Sequence, residues 1–461
     1  MTVIRFDFSG TTKEVIGVNG IAREDIDILA PLTKKAHESL MKARTEGNVL
    51  FYDLVEMPGV LEEVEAMASE LSSSFTDVVH LGIGGSSLGP KAIFSALKGP
   101  FHNHTSSPRM FFLDNIDPEY MTSLFDMLSL KDTLFVVVSK SGATAETASQ
   151  FMTALGFMRD MLGETYKNHL VFITDPNKGI LRRLAGELNI RSLAIPPEVG
   201  GRFSVLTPVG LFPAALCGLD INALMSGAKK MRDRVTKGNV FENPAYLFSC
   251  VHFLGSKKGA NISVLMPYSN ALYDIADWYR QLWAESLGKR YSIDSKEVFT
   301  GQTPVKALGA TDQHSQVQLY REGPFDKIIN IMTVDRYRSD ITIPDVLGDI
   351  DEFSYLASRR ISELIKAEAR ATMASLIDAG RMTTHISLDT IDEETLGALF
   401  MFFEAATAFM GCLLKINPFD QPGVELGKHF TFSLMGRQGF SGLRKGIDSN
   451  LRTLPGMNIE I

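Results

Sequence analysis

The chain has few cysteines, and their placement argues against disulfides and against metal ligation. Cys217, Cys250 and Cys412 lie far apart, and none belongs to a CxxC pair or has a histidine at metal-ligand spacing. We therefore expect reduced, buried thiols and no metal site. The N-terminus, MTVIRFDFSG, also lacks the basic and apolar regions of a signal peptide, which favours a cytoplasmic protein.

Long blocks of like charge are missing as well. The chain has 46 Lys and Arg against 54 Asp and Glu, and its net charge of −8 is spread along the sequence. Nucleic acid is therefore not an expected partner. Because the overall field weakly repels anions, an anionic ligand would have to be held by a local group of donors.

Only one apolar run approaches the length of a membrane span. It is LGALFMFFEAATAFMGCLL, residues 396–414, and Glu404 stands near its middle. A lone central carboxylate is unfavourable in lipid, and no second span accompanies it. We therefore expect a helix buried in a large protein and no membrane partner.

The ordinary composition, 45% hydrophobic and 22% charged, is that of a folded soluble protein, and short apolar runs alternate with amphipathic stretches of helix length. Nine runs predict strands, at residues 78–85, 109–115, 133–140, 169–175, 191–196, 261–268, 305–311, 327–334 and 385–391. Such strands are typical of parallel sheets covered on both faces. The predicted class is α/β, with two doubly wound α/β/α sandwich subdomains with mainly parallel sheets, and N-terminal and C-terminal helical segments. The predicted boundaries are 1–44, 45–215, 216–417 and 418–461.

Ligands of open parallel sheets bind where loops leave the carboxyl ends of strands. The first such loop, LGIGGSSLGPKA at 81–92, has glycines that allow a close backbone approach. It does not fit the dinucleotide fingerprint GxGxxG, because Ser87 stands where the third glycine belongs. A purely structural turn is the alternative.

The second loop, SKSGATAET at 139–147, follows the apolar run TLFVVV and offers several hydroxyls and one lysine. Hydroxyls and free backbone N–H groups at a helix N-terminus can surround a phosphate. An ordinary helix cap by Ser141 and Thr144 is the alternative. Neither loop resembles GxxxxGK[ST], so the two together favour a small phosphorylated metabolite over a nucleoside triphosphate.

Four further stretches carry candidate chemistry, each with a plainer alternative. Arg202 stands beside two glycines but could be a solvated surface arginine. Gln281 and Glu285, four apart, share one helix face, although most helical glutamates are simply solvated. His314 lies in a polar loop and could be a bystander. The stretch 416–430 holds Gln421, Glu425 and Lys428, which capping and solvation explain equally well.

Together the six stretches resemble the characteristic blocks of one family, the phosphoglucose isomerases of the sugar isomerase (SIS) superfamily. In chain order they are GIGGSSLGP, SKSGATAET, GGRFSVLTPVG, QLWAESLGK, TDQHS and FDQPGVELGK, and they span residues 82 to 428. The resemblance implies SIS-type subdomains and an aldose–ketose isomerase of glycolysis and gluconeogenesis. Its reaction would interconvert glucose 6-phosphate and fructose 6-phosphate through ring opening and a cis-enediolate, without a cofactor.

The resemblance also implies residue roles. Glu285 would move the proton between C2 and C1, Arg202 would stabilise the enediolate, and His314 and Lys428 would assist ring opening. His314 would come from the neighbouring subunit, which makes a homodimer part of the active site. The residues that would bind substrate are Gly85 and Ser86 along the sugar, Ser139, Lys140, Ser141 and Thr144 at the phosphate, and Gln281 and Gln421 as positioning groups.

The sequence departs from the commonest family pattern in four places. Ala143 and Ala145 stand where threonine is frequent, Leu287 replaces an asparagine, and TDQHS lacks the glycine of the longer TNGQHS form. Two alternatives stay open here: an isomerase that also accepts mannose 6-phosphate, and a non-catalytic sugar-phosphate sensor. The sensor would not need both Glu285 and His314, and such modules usually carry a DNA-binding or partner domain that this sequence does not show.

Overall fold

The computed structural model describes residues 3–452. Its strands are β1 (Ile4–Asp7), β2 (Asp77–Leu81), β3 (Arg109–Leu113), β4 (Thr133–Val138), β5 (Leu170–Thr174), β6 (Arg191–Ala194), β7 (Ile262–Pro267), β8 (Lys289–Tyr291), β9 (Glu297–Thr300), β10 (Thr303–Lys306), β11 (Lys327–Val334) and β12 (Met382–Leu388). All nine strands predicted from apolar runs are present. The α/β class with mainly parallel sheets is therefore confirmed.

The first sheet has the order β3-β2-β4-β5-β6, and every pairing in it is parallel. Strands β2, β4 and β5 are buried along their whole length, which explains their predominantly apolar sequences. Because β2 and β4 are neighbours, the loops that leave their carboxyl ends emerge side by side.

The second sheet has the order β1-β12-β11-β7-β10. Its pairings are parallel except at the edge, where β1 runs antiparallel to β12. The chain start therefore contributes a strand in addition to the predicted helices. The sequence IRFD is too short to predict a strand from its pattern, and its alternating burial is typical of an edge strand. A small antiparallel hairpin, β8 with β9, was not predicted either.

The helices fill the intervals between strands. They are α1 (Lys13–Ile16), α2 (Arg23–Ile28), α3 (Ala30–Thr45), α4 (Val60–Ser72), α5 (Leu88–Lys98), α6 (His102–Thr105), α7 (Pro118–Met127), α8 (Ala145–Leu162), α9 (Ile180–Leu188), α10 (Pro208–Leu216), α11 (Ile221–Val235), α12 (Pro244–Lys257), α13 (Tyr273–Leu287), α14 (Val317–Glu322), α15 (Asp351–Ser354), α16 (Ile361–Asp378), α17 (Glu393–Leu413), α18 (Glu425–Leu434) and α19 (Arg444–Asn450).

Helix α17 contains the apolar run singled out above. By length and composition it could cross a membrane, but 89% of its most apolar window is buried inside the protein. Helices α11, α12 and α13 pack against it. It is therefore a core helix, as expected. Both carboxyl oxygens of Glu404 lack a hydrogen-bond partner among the described residues, and burial raises the pKa of this carboxyl well above its ordinary value.

The chain forms two compact units, Met1–Pro418 and Phe419–Ile461. Both sheets belong to the first unit. In the second, the ring of Phe432 on α18 lies 5.2 Å from the ring of Phe440, and the Arg437 guanidinium lies 4.2 Å from the Phe432 ring centre. The division of the first unit into subdomains at residues 44 and 215 stays a prediction.

Candidate active site

The hydroxyl loop, which we define as Ser139–Thr144, is stabilised by hydrogen bonds of its own side chains. The Ser139 hydroxyl accepts from the Gly142 N–H at 3.1 Å and lies 3.2 Å from the Thr144 hydroxyl. Gly142 has a φ of +67°, and a Cβ there would come within 2.6 Å of the Leu181 nitrogen. Glycine is therefore required for the loop to lie against the start of α9.

Helix α8 begins directly after this loop, at Ala145. Thr144 occupies the N-cap position, but its side chain makes no capping bond to the helix. The hydroxyl of Ser141 accepts from the Ala143 N–H at 3.2 Å, which also leaves the first turn of α8 uncapped. The first N–H groups of this 18-residue helix have no partner within the helix, so the loop and the helix start offer N–H and O–H donors to an anion.

Lys140 points to a neighbouring loop. Its ammonium donates to the carbonyl oxygens of Pro197 at 2.5 Å and of Val199 at 3.0 Å. Burial lowers the pKa of this ammonium from its ordinary value. Two of its three N–H groups are therefore committed to backbone, and the expected phosphate contact of Lys140 stays a prediction.

The glycine loop, defined as Gly82–Ser86, leaves the carboxyl end of β2. A Cβ on Gly85 would fall 2.2 Å from the Gly201 carbonyl carbon, so this position must be glycine for the two loops to touch. Below it, the fully buried His80 contacts the Ser86 carbonyl oxygen through Nε2 at 2.6 Å. Because burial lowers the pKa of His80 to about 4, the ring is neutral at pH 7 and donates this bond.

Arg202 and Glu285 form the charged centre of the arrangement. Arg202 lies in a short 3-10 helix, Gly201–Phe203, and only 3% of its side chain is exposed. Its Nε donates to the Ser286 hydroxyl at 2.6 Å, one terminal nitrogen donates to the Pro418 carbonyl at 2.5 Å, and the other lies 3.4 Å from a Glu285 oxygen. The guanidinium is held on three sides, while 26% of the Glu285 side chain remains exposed.

Gln281 lies one turn before Glu285 on α13, as the four-residue spacing predicts. Its amide nitrogen donates to the second carboxylate oxygen at 2.9 Å. Its own oxygen is buried without a hydrogen-bond partner among residues 3–452. An incoming hydroxyl could supply that bond, because a buried amide oxygen without a donor is unfavourable.

His314 is not joined to this centre, and two further predicted residues belong to the second unit. His314 lies exposed in a 3-10 helix, Thr311–His314, and within the described part of the chain no hydrogen bond or ion pair joins it to Glu285. The Lys428 ammonium lies 2.7 Å from a Glu425 oxygen on α18. Gln421 precedes the 3-10 helix Pro422–Val424 of the same unit.

Sequence reasoning missed two residues that support this centre. Ser286, fully buried, orients Arg202, and His80 holds the glycine loop. The sequence does mark His80, because it is a polar residue directly after two valines in the predicted strand 78–85. It does not mark Ser286 beyond its position next to Glu285.

Comparison with known proteins identifies the family. The family model for phosphoglucose isomerase matches residues 55–451. The chain belongs to the phosphoglucose isomerase family. Among curated members, a glucose-6-phosphate isomerase from Carboxydothermus hydrogenoformans is 44% identical over 96% of this chain and 97% of that protein. The resemblance inferred from the six sequence blocks is thus confirmed.

Solved structures agree with a phosphoglucose isomerase fold. The crystal structure of a hypothetical protein from Thermus thermophilus is 36% identical, has a TM-score of 0.84, and covers 94% of this chain and 100% of that one. A glucose-6-phosphate isomerase from Chlamydia trachomatis is 24% identical, with a TM-score of 0.72 over 85% of this chain and 76% of that one, and it supports the fold alone.

Proposed function

We propose that this phosphoglucose isomerase family member catalyses the reversible isomerisation of glucose 6-phosphate and fructose 6-phosphate through a cis-enediolate. The observation that carries the proposal is the partly exposed Glu285 carboxylate, 3.4 Å from the buried Arg202 guanidinium. Removal of a proton next to a carbonyl needs a positioned base and a cation where the oxyanion develops. The two groups meet both needs and require no cofactor.

Glu285 takes the proton from C2 of the open-chain sugar and returns it to C1. Arg202 stabilises the negative charge that develops on the enediolate oxygens, and its effect is strengthened because it is almost completely buried. Gln281 supports the carboxylate with its N–H group and offers its free oxygen to a sugar hydroxyl. Gly85 and Ser86 line the sugar, and Gln421 is its further positioning group.

The phosphate binds at the hydroxyl loop. Ser139, Ser141 and Thr144, together with the first N–H groups of α8, supply the donors, and the helix dipole adds favourable charge. The ammonium of Lys140 donates to two backbone carbonyls, so the hydroxyls and backbone N–H groups provide the main contacts.

Ring opening requires an acid and a base near the ring oxygen, and we assign these tasks to His314 and Lys428. We further propose a cytoplasmic homodimer in which the partner subunit's His314 completes each site. The exposure of His314 supports this assignment, because an exposed side chain is free to enter a neighbouring subunit.

Activity is tested by supplying fructose 6-phosphate to the purified protein and coupling the glucose 6-phosphate formed to a dehydrogenase. Turnover is expected, and no turnover would contradict the proposal. Mannose 6-phosphate supplied in place of fructose 6-phosphate in the same assay measures how strict the enzyme is, because an enzyme that accepts it forms fructose 6-phosphate and then glucose 6-phosphate.

The contribution of the partner is tested by mixing two inactive variants, Glu285→Gln and His314→Ala, under conditions that exchange subunits. If His314 acts across the interface, each mixed dimer has one intact site, and about a quarter of wild-type activity returns at equal mixing. No recovery would show that His314 acts within its own chain or not at all.

A further inference from the structure

Lys140 joins two loops that lie on either side of β5. The hydroxyl loop follows β4, and residues 195–201, which lead to Arg202, follow β6. Since strands in a sheet are about 4.8 Å apart, the two loops start roughly 10 Å from each other. The Lys140 side chain spans this gap and donates to Pro197 and Val199 in the second loop.

The near end of this connection is fixed. The Thr174 hydroxyl, at the end of β5, donates to the Ser139 carbonyl at 2.8 Å and to the Lys140 carbonyl at 3.3 Å. The backbone of Lys140 therefore starts from a defined position on the sheet. Its ammonium is half-buried, so its two hydrogen bonds to carbonyls are stronger than they would be in water.

The far end leads directly to Arg202. Val199 is 2% exposed, and the next residue, Gly200, accepts from the Phe203 N–H at 3.0 Å to close the 3-10 helix that carries Arg202. Whatever fixes Pro197 and Val199 therefore sets where this helix begins. A shift of the loop would carry the guanidinium away from Glu285, and reacting groups lose efficiency steeply with small displacements.

We propose that Lys140 is a positioning residue, which ties the phosphate-binding hydroxyl loop to the loop that places Arg202 beside Glu285. The inference rests on the proposed function, in which Arg202 stabilises the enediolate. It differs from a phosphate-binding role, because it assigns the importance of Lys140 to the transition state and not to the grip on the phosphate.

Two ligands separate these roles. Arabinonate 5-phosphate carries a carboxylate that mimics the enediolate and needs Arg202, whereas glucitol 6-phosphate has the phosphate and hydroxyls without that charge. In Lys140→Met we expect calorimetry to show about tenfold weaker binding of the acid, with the alcohol within about threefold of wild type. kcat should fall at least about tenfold with little change in KM.

Variants of graded donor capacity complete the test. Lys140→Arg, which keeps donors for both carbonyls, should recover most of the lost acid binding. Lys140→Gln, which keeps fewer donors, should bind the acid with an affinity between those of Lys140→Met and Lys140→Arg. It replaces Lys140→Met in the test if that variant does not fold. Lys178→Met removes an exposed ammonium from the loop after β5 and should bind both ligands as wild type does.

The results distinguish the inference from the proposed function. Equal weakening of both ligands in Lys140→Met, or no weakening of either, would overturn the positioning role even if the wild-type enzyme is active. A wild-type protein without isomerase turnover would overturn the proposed function, and the positioning role would fall with it.

Discussion

Glu285 and Glu404 lie on two helices that pack against each other, α13 and α17, yet their surroundings differ completely. Glu285 is partly exposed, receives a hydrogen bond from Gln281 and lies beside Arg202. Glu404 is fully buried, and its oxygens have no hydrogen-bond partner among the described residues.

The difference shows what identifies a catalytic carboxylate. A raised carboxyl pKa often marks an active site, but burial alone raises the pKa of Glu404, which lies on a core helix. Glu285 is distinguished by access, by its cationic neighbour and by the donors around it. Geometry is therefore the better guide in this protein.

Replacing Glu285 should cause the largest loss of activity. Glu285→Gln should lower kcat by about 10² to 10⁴, because the amide cannot accept the proton. Binding of glucitol 6-phosphate should stay close to wild type, since the base acts mainly in the transition state. Calorimetry and the coupled assay measure the two effects, and equal losses in both would argue against the role of Glu285.

Substitutions in the hydroxyl loop should change KM more than kcat. Ser141→Ala combined with Thr144→Ala removes two donors to the phosphate, so KM should rise about tenfold or more while kcat changes less. Steady-state kinetics with fructose 6-phosphate measures the split. An unchanged KM would mean that the phosphate binds elsewhere.

Ser286 tests the support of the cation beside Glu285. Ser286→Ala removes the acceptor for the Arg202 Nε–H, and we expect kcat to fall about tenfold with KM nearly unchanged. Ser286→Thr keeps the hydroxyl and should restore part of the activity if its extra methyl group is accommodated. If Ser286→Ala turns over as fast as wild type, Arg202 does not depend on this bond.

Glu404→Gln should have the smallest effect on activity and should act on stability instead. The buried carboxyl is protonated in the folded state and ionised in the unfolded state above about pH 4.5. Unfolding therefore releases a proton, and wild-type stability falls by about 1.4 kcal/mol per pH unit between the unfolded pKa and the raised folded pKa.

The glutamine variant lacks this proton, so its stability relative to wild type should increase as pH rises through the same window. Denaturant unfolding at pH 5, 6, 7 and 8 measures the difference. A difference that does not vary with pH would show that Glu404 does not change its protonation on unfolding, and loss of isomerase activity would place it in the site.

The fold was largely predictable because strands buried on both faces, such as β4 and β11, have predominantly apolar sequences. Strand β1 was missed, since four alternating residues at a sheet edge carry little signal. Hairpin β8–β9 was missed for the same reason, because both of its strands are short and mostly exposed.

The candidate site was predictable where it is local and not where it depends on distant contacts. The hydroxyl loop is one stretch of sequence, and its chemistry could be recognised there. The Arg202–Ser286 bond joins residues 84 positions apart, and the Lys140 ammonium contacts carbonyls 57 and 59 positions away. No pattern in the chain indicates those pairings, because they arise from how the loops meet above the sheet.

The most direct test of the central claim, that Glu285 transfers the proton through an enediolate, is isomerisation of glucose 6-phosphate in D₂O followed by NMR of the product. A carboxylate base that exchanges its proton with solvent should place deuterium at C1 of fructose 6-phosphate, and Glu285→Gln should give neither product nor label. Product formed by wild type without any deuterium, or labelled product from Glu285→Gln, would contradict the account.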